Sequence, residues 1–463
     1  MTEKTFIGLG LAQAFSLFMS VGFLCYVATI VIPYLRYRPL GTGDPTPYEW
    51  HFFIPARDEA VVIHNTVDKL RLRFPSAHVW VVDDASLDAT GAIVADMAAG
   101  DDHVHLVRRH LPDARTGKGD ALNSCYDALN VHLAQRGAVG AVLDRAHVIV
   151  GVIDADGMPA DNCLEVISAD HLFGRPEVGA VQISVRMVNR NELRPFADAG
   201  PVANLWGRLL VRMQDLEFRG PIAAVQMVRQ RTRSVGLGGN GQFSRLSALD
   251  AVAGTEDRPW HGSLLEDYEL GLHLIMAGYR NEFTTDTLVD QEGLPNLRRL
   301  LTQRTRWGQG TMQCGSYLPA IWSSRHFTTY GALEASYYLI QPWLQLAATL
   351  IYPLPLVVLA HNIHADPAGM GNFFLHGGWL LAAIYLVLGV APFVLWGPLY
   401  ARRCEPSVGR LRAIGFGLAF SLFIITFYIT TWRALFRILG GRRGWAKTRR
   451  NTDVQPGRVA LDA

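Results

Sequence analysis

The sequence predicts an α/β protein with a mostly parallel sheet, joined to about four transmembrane helices and one amphipathic helix at the membrane interface. Three observations support this prediction. Apolar strand-like segments alternate with helix-like segments from about residue 48, and four apolar runs are long enough to cross a bilayer. The chain of 463 residues is also 49% hydrophobic and only 18% charged. This balance is high in apolar residues for a wholly soluble protein, so we expect part of the chain to lie in lipid.

The apolar runs divide the chain into domains. A helix needs about 20 residues to cross the hydrocarbon core, and the runs that reach this length are residues 5–35, 335–360, 375–399 and 413–432. The first run lacks the short polar cleavage region of a secretory signal, so we interpret it as a retained anchor. The predicted divisions are an anchor at 1–38, a cytoplasmic domain at 48–325, a membrane region at 331–440 and a basic tail at 441–463.

The distribution of charge predicts orientation and excludes one class of partner. Arg36 and Arg38 follow the first run, and further arginines separate the third run from the fourth. The positive-inside rule therefore predicts a multi-pass protein of the inner (plasma) membrane with its main domain in the cytoplasm. The basic tail does not fit four spans that begin outside, and the sequence leaves the side of the tail open. A formal net charge of +2 argues against nucleic-acid binding.

The main domain has the pattern of strands followed by helices. Predicted strands at 52–55, 79–82, 103–107 and 147–153 alternate with predicted helices at 59–73, 89–97 and 119–133. A further strand at 181–187 and a long helix at 195–229 follow. Ligands of such sheets bind at the carboxyl ends of the strands. Acidic residues fall at these ends, because Asp83 and Asp84 close the second strand while Asp154 and Asp156 close the fourth.

Several of these residues suit a nucleoside diphosphate. Asp154 and Asp156 can hold a divalent ion through carboxylate oxygens while the ion bridges a diphosphate, although an ordinary Asp/Gly turn gives the same pattern. Asp83 can accept hydrogen bonds from a base or ribose. Glu59 either extends this pocket or favours the first turn of a helix. Lys118 lies between two glycines and suits a phosphate, although a solvated loop lysine is the commoner case.

Two later segments supply a candidate base and a candidate acceptor site. Ser263 and Glu266 fit a helix capping box, which leaves Asp267 to act as general base toward an acceptor hydroxyl. The predicted amphipathic helix at 297–307 contains Gln303, Arg306 and Trp307 on adjacent turns. Trp307 can stack on a sugar and Arg306 can pair with a pyrophosphate, although an Arg/Trp helix beside a membrane can also be purely interfacial.

Together these motifs, in this order, resemble a membrane-integrated family 2 glycosyltransferase, the group that includes cellulose, chitin and hyaluronan synthases. The resemblance covers about residues 52–307 and implies a glycosyltransferase-A fold that inverts the donor's configuration, with a UDP-sugar donor and Mg2+ or Mn2+. It also implies a role for each candidate residue: Asp83 in nucleotide binding, Lys118 at the diphosphate, Asp154 and Asp156 as the Asp-x-Asp pair, Asp267 as catalytic base, and Gln303, Arg306 and Trp307 as the Gln-x-x-Arg-Trp motif.

The resemblance leaves the acceptor open. Transfer of a hexose or N-acetylhexosamine into a polysaccharide is the main prediction, although a channel for a growing polymer would need extra helices or a dimer. A homo-oligomer or an accessory export subunit would supply them. Residues 239–243 are also similar to glucosyltransferases that modify diacylglycerol or ceramide, which predicts a glycolipid synthase as the alternative. Leu265 replaces the usual Thr before Glu-Asp. A non-catalytic transport or scaffold protein is the third interpretation, and the retained carboxylates argue against it.

Overall fold

The computed structural model describes residues 3–138, 144–254 and 258–442. The strands are β1 (Glu49–Ala56), β2 (His78–Asp84), β3 (Val104–Arg109), β4 (Val148–Val152), β5 (Met158–Pro159), β6 (Val178–Met187), β7 (Gln242–Arg245) and β8 (Arg280–Gln291). They form one mixed sheet in the order β3-β2-β1-β4-β7-β6-β8-β5.

Helices cover both faces of this sheet and continue into the apolar C-terminal part. The helices are α1 (Glu3–Arg36), α2 (Ile63–Arg73), α3 (Thr90–Gly100), α4 (Lys118–Ala138), α5 (Cys163–Ile167), α6 (Pro201–Glu217), α7 (Ala223–Thr232), α8 (Leu246–Ala253), α9 (Glu266–Met276), α10 (Leu297–Cys314), α11 (Leu318–Ser323), α12 (Thr329–Ile351), α13 (Leu354–Ala365), α14 (Pro367–Phe373), α15 (Trp379–Val394), α16 (Trp396–Cys404), α17 (Arg410–Phe423) and α18 (Ile425–Leu439).

The first half of the sheet confirms the α/β prediction. β1 pairs in parallel with β2 and β4, and β2 pairs in parallel with β3. The second half is more mixed than the sequence predicts, because β7 runs antiparallel to both β4 and β6. β7 is only four residues long and directly follows a glycine-rich loop, so it gives no strand signal of its own.

Alternate residues of β1 build two cores. Phe52 and Ile54 pack with Leu70 of α2 on one face of the sheet. Phe53 packs with Leu122 of α4 on the other face. Burial of both faces explains why the central strands read as continuous apolar runs, and it fixes the strand ends rigidly enough to position a site.

Two predicted helices have different bounds from those expected. The helix expected at 195–229 is divided into α6 and α7 by a π-helical turn at Phe218–Ile222, which contains Pro221. Proline cannot donate the helical hydrogen bond, which accounts for the irregular turn. The amphipathic helix expected at 297–307 is confirmed as a helix and continues to Cys314.

Two helical stretches of the described chain, Thr329–Ala365 and Arg410–Leu439, are long and apolar enough to cross a membrane. The first apolar run lies within α1, and the run at 375–399 is divided between α15 and α16. Four spans and a cytoplasmic main domain therefore remain predictions. α10 packs against α12 and α18, which places it between the sheet domain and both apolar stretches. The predicted basic tail lies outside the described residues from position 443 onward.

Candidate active site

Lys118 lies at the centre of a charged cluster. It is the first residue of α4, and its Nζ donates hydrogen bonds to Asp154 Oδ1 at 2.6 Å and to the Gly239 carbonyl oxygen at 2.7 Å. Burial alone would lower the pKa of Lys118, but the carboxylates of Asp154, Glu266 and Asp267 raise it above its ordinary value. Lys118 is therefore a cation fixed among acids.

The turn after β4 holds Asp154 and Asp156. The loop before β7 fixes this turn, because Asn240 Oδ1 accepts the Asp154 N–H at 3.3 Å and Asn240 Nδ2 donates to Gln291 at 3.0 Å. The Glu292 N–H donates to Asp156 Oδ2 at 3.3 Å. Asn240 is thus a positioning residue, and its position in the glycine-rich loop was the only sequence signal for it.

The Asp154–Asp156 pair has the chemistry of a shared metal site. Carboxylate oxygens suit Mg2+ and Mn2+, and Mg2+ commonly takes one or two carboxylates together with substrate phosphates. Among the described residues there is no group of three or more His, Cys, Asp or Glu side chains that could hold a metal alone. The residues present therefore fit an ion held jointly by the protein and a diphosphate.

Asp267 lies in the first turn of α9 beside the Gly239 loop. Its Oδ1 accepts the Tyr268 N–H at 2.7 Å, and a Cβ added to Gly239 would lie 3.1 Å from its Oδ2. The residue is only 8% exposed. Burial and the adjacent Glu266 carboxyl raise the pKa of Asp267 to about 7, against the opposing effect of Lys118.

The predicted capping box at the start of α9 is wrong. Ser263 Oγ instead accepts the Leu265 N–H at 3.1 Å, and Glu269 Oε2 accepts the Ser263 N–H at 3.1 Å. Glu266 is the first residue of the helix and is buried in the charged cluster. Burial raises the pKa of Glu266, and Lys118 and Arg306 oppose this shift. Glu266 is therefore a site residue that the local sequence pattern assigned to a different role.

α10 closes the cluster on the side where it packs against the apolar helices α12 and α18. Burial lowers the pKa of Arg306, and the carboxylates of Glu266, Asp154 and Asp267 act in the opposite direction. Trp307 is the next residue, and the Arg304 guanidinium lies 4.3 Å from the centre of its ring. One face of the indole is therefore covered by protein.

The remaining features of the α10 motif are the exposure of Gln303 and the ring contacts of Trp307. Gln303 lies one turn before Trp307 and is partly exposed. The Phe218 ring meets Trp307 edge-on, with 6.2 Å between the ring centroids. Trp307 also packs against the hydrophobic cluster that contains Leu265 and Tyr268.

Glu59 lies in the loop after β1, and Asp83 is the penultimate residue of β2. The Glu59 N–H donates to Thr90 Oγ1 at 2.7 Å, and Asp83 Oδ1 accepts the Ser86 N–H at 2.9 Å. These contacts join the two loops into one rim. Both residues therefore lie at the edge of the sheet where β1 and β2 end.

The neighbouring acid, Asp84, has a separate role. Its Oδ1 accepts hydrogen bonds from Arg109 Nη1 at 2.5 Å and from the Arg115 N–H at 2.9 Å. Both Asp84 and Arg109 are buried in this ion pair. Asp84 thus fixes the loop before α4 and leaves Asp83 as the carboxylate available at the rim.

Comparison with known proteins gives a consistent assignment. The model of the family "Glycosyltransferase like family 2" matches residues 47–310. A beta-monoglucosyldiacylglycerol synthase from a Nostoc species is 30% identical over 269 residues, which cover 56% of this chain and 48% of the relative. The Synechocystis enzyme of the same name is 31% identical over 283 residues, or 59% of this chain and 51% of the relative. The chain thus spans about half the length of these curated relatives.

A solved structure supports the fold over almost the whole chain. A mannosyltransferase from Pyrobaculum calidifontis, in complex with GDP-Man and Mn2+, has a TM-score of 0.54 and 18% sequence identity. The similarity covers 94% of this chain and 99% of that one. At this identity the match concerns the fold alone.

Proposed function

This chain belongs to glycosyltransferase family 2, and from that premise we propose that it transfers a hexose from a UDP-sugar to a hydroxyl group of a lipid acceptor, with inversion to a β-glycoside. The names of the relatives favour this glycolipid interpretation over the polysaccharide synthesis that motif order alone predicts. The two apolar helical stretches are consistent with an acceptor that is reached from a bilayer.

The observation on which the proposal depends is the position of Asp267. This carboxyl group is buried against the Gly239 loop and close to Lys118, and its pKa is raised to about 7. A general base works best when its pKa lies near the operating pH. Asp267 would accept the proton of the acceptor hydroxyl as that oxygen attacks the anomeric carbon.

The transfer breaks the bond between the anomeric carbon and the diphosphate oxygen while the new glycosidic bond forms on the opposite face. The leaving UDP takes up the electron pair of the broken bond. Lys118 has three N–H donors, of which Asp154 and Gly239 take two, so the third can reach a phosphate oxygen. Arg306, which interacts with the same acids, supplies a second cation for the diphosphate.

The remaining candidate residues complete the donor and acceptor sites in this proposal. Asp154 and Asp156 would hold Mg2+ or Mn2+, whose charge offsets that of the diphosphate. Asp83, and Glu59 beside it, would accept hydrogen bonds from the uracil and ribose. Gln303 and Trp307 would contact the transferred sugar or the acceptor.

A labelling experiment tests the proposal. The full chain in nanodiscs is supplied with UDP-[14C]glucose, Mn2+ and diacylglycerol, and the products are separated into solvent-extractable lipid and high-mass polymer. We expect label in the lipid fraction and none when Asp267 is replaced by Asn. Label confined to polymer would instead support the polysaccharide interpretation, and the absence of transfer with any UDP-hexose would contradict both.

A further inference from the structure

The charged cluster continues into a crevice between α9 and α10. On α9, Glu266, Glu269 and His273 are spaced by three and four residues, so they lie along one face of the helix. On α10, Arg306 and Gln313 lie two turns apart on the face toward α9, and Gln313 Oε1 accepts the Leu264 N–H at 2.9 Å. The Glu266 end of the crevice is therefore the reactive end.

Close packing of the two helices separates the ends of this crevice. A Cβ added to Gly310, which lies between Arg306 and Gln313 on α10, would lie 2.6 Å from Leu265 Cβ. Beyond this contact the crevice opens into a cleft of about 490 Å³, whose lining residues are His261, Gly262, Ser263, Glu269, His273, Gln313, Ser316 and Tyr317. This volume is within the range of small-molecule sites, which is roughly 300–1,000 Å³.

The lining selects against anions. It contains no Lys or Arg and one acidic residue, Glu269. His273 is neutral at physiological pH, because burial and the neighbouring His261 lower its pKa to about 4. A phosphate or nucleotide would therefore meet a carboxylate without a compensating cation, whereas a neutral polar ligand would not.

His261 and His273 together present one hydrogen-bond donor and one hydrogen-bond acceptor. Their Nδ1 atoms are 2.7 Å apart, so one ring donates a proton at Nδ1 and the other accepts it. In neutral imidazoles, the donating ring then has an acceptor Nε2, and the accepting ring has a donor Nε2–H. A hydroxyl group both donates and accepts, and a vicinal pair of hydroxyls can use both atoms.

The other polar groups of the cleft are held in place by the protein. Glu269 Oε1 accepts from the Tyr317 hydroxyl at 2.7 Å, while its Oε2 accepts the Ser263 N–H. Gln313 Oε1 accepts the Leu264 N–H, so the N–H donors on Gln313 Nε2 are not used in that contact. The cleft therefore offers oriented donors and acceptors before any ligand binds, which lowers the entropic cost of binding.

We propose that this cleft binds a neutral, hydroxyl-rich group of the acceptor, either a hexose ring or a glycerol moiety, at the end of the crevice beyond Gly310. Its role in transfer rests on the proposed function, but its capacity to bind a polyol does not. A bound headgroup would hold the acceptor against α9, the helix that also carries Asp267.

Binding and transfer are measured separately on the full chain in nanodiscs. Saturation-transfer NMR with methyl β-D-glucopyranoside, glycerol and methyl phosphate as probes is applied to the wild type, Gln313→Glu, His273→Phe and the control His326→Phe. Gln313→Glu keeps the acceptor for Leu264 and removes the donor, whereas His326 is a histidine outside the cleft lining. UDP affinity serves as the check that each variant is folded.

We expect at least one polyol to bind the wild type saturably, and both cleft variants to weaken it by about tenfold, the equivalent of one lost hydrogen bond. His326→Phe should leave the affinity for the polyol unchanged, and methyl phosphate should not bind. Preference for the glucoside would assign the cleft to a sugar, and preference for glycerol would assign it to the lipid backbone. The absence of saturable polyol binding, or equal polyol affinity in the wild type and the cleft variants, would refute the proposed binding site. Polyol binding without any lipid transfer would instead contradict the proposed function alone.

Discussion

Replacement of Asp267 by Asn tests the catalytic assignment most directly. Asn retains an oxygen that can accept the Tyr268 N–H, so the start of α9 should be preserved, but it cannot take a proton. Loss of a general base typically costs about 10²–10⁴-fold in rate, or about 3–5 kcal/mol of transition-state stabilisation. Because Asp267 is only 8% exposed, we expect water to replace it poorly and the loss to reach at least the lower bound.

The assay measures release of UDP by protein in nanodiscs with diacylglycerol, together with UDP affinity by calorimetry. Asp102→Asn, at an exposed carboxylate just after α3, is the matched control. Turnover of Asp267→Asn should fall while UDP affinity stays within about twofold, since the uncharged Asn leaves the diphosphate contacts in place. Turnover within threefold of the control, or an equal loss of UDP affinity, would refute the assignment of Asp267 as base.

The remaining predictions concern the pH dependence of activity, the metal dependence of UDP binding, the close contact at Gly239 and the stability of the fold. With the pKa of Asp267 at about 7, the base is ionised above that value, so kcat/KM should rise with pH and fall about fivefold from pH 7 to 6; a flat profile would contradict this. Asp156→Ala should weaken UDP binding only when Mn2+ is present, and equal affinity with and without Mn2+ would count against a metal role. Gly239→Ala places a Cβ 3.0 Å from Lys118 Nζ, so turnover should drop roughly tenfold at unchanged melting temperature; unchanged turnover would show that the contact relaxes freely. Arg304→Met leaves the buried Glu217 without its paired guanidinium and should destabilise the fold by about 3–5 kcal/mol in denaturant unfolding, an effect that the double variant with Glu217→Gln should partly reverse.

The strand-helix alternation was sufficient to predict the first half of the sheet. Strands such as β1 are buried on both faces, and a fully buried strand has an apolar pattern that the sequence shows directly. The same reasoning missed β7, because four residues after a glycine-rich loop carry no periodic signal. Their strand conformation depends on β4 and β6, which pair with them from both sides.

The candidate site was likewise predicted in part from the sequence and decided in part by the tertiary structure. The candidate acids at 83, 154 and 156 were found because ligands of such sheets bind at the carboxyl ends of the strands, and the structure brings Lys118, Asp154, Asp267 and Arg306 together. Glu266 was misassigned to a capping box, because a local pattern contains no information about Arg306 on a different helix. Ser263, three residues before Glu266, does take part in a local hydrogen bond, but its N–H donates to Glu269 and not to Glu266.

The sequence by itself determined the family, the order of the acidic and basic motifs and the apolar stretches, because residue type and spacing are properties of the chain alone. Only the tertiary structure decided that Asp84 is paired with Arg109 while Asp83 stays at the rim. It also decided that Asp267 has a pKa near neutrality. The reason is physical: pairing and desolvation depend on which distant segments pack around a group, and these distances exist only once the chain has folded.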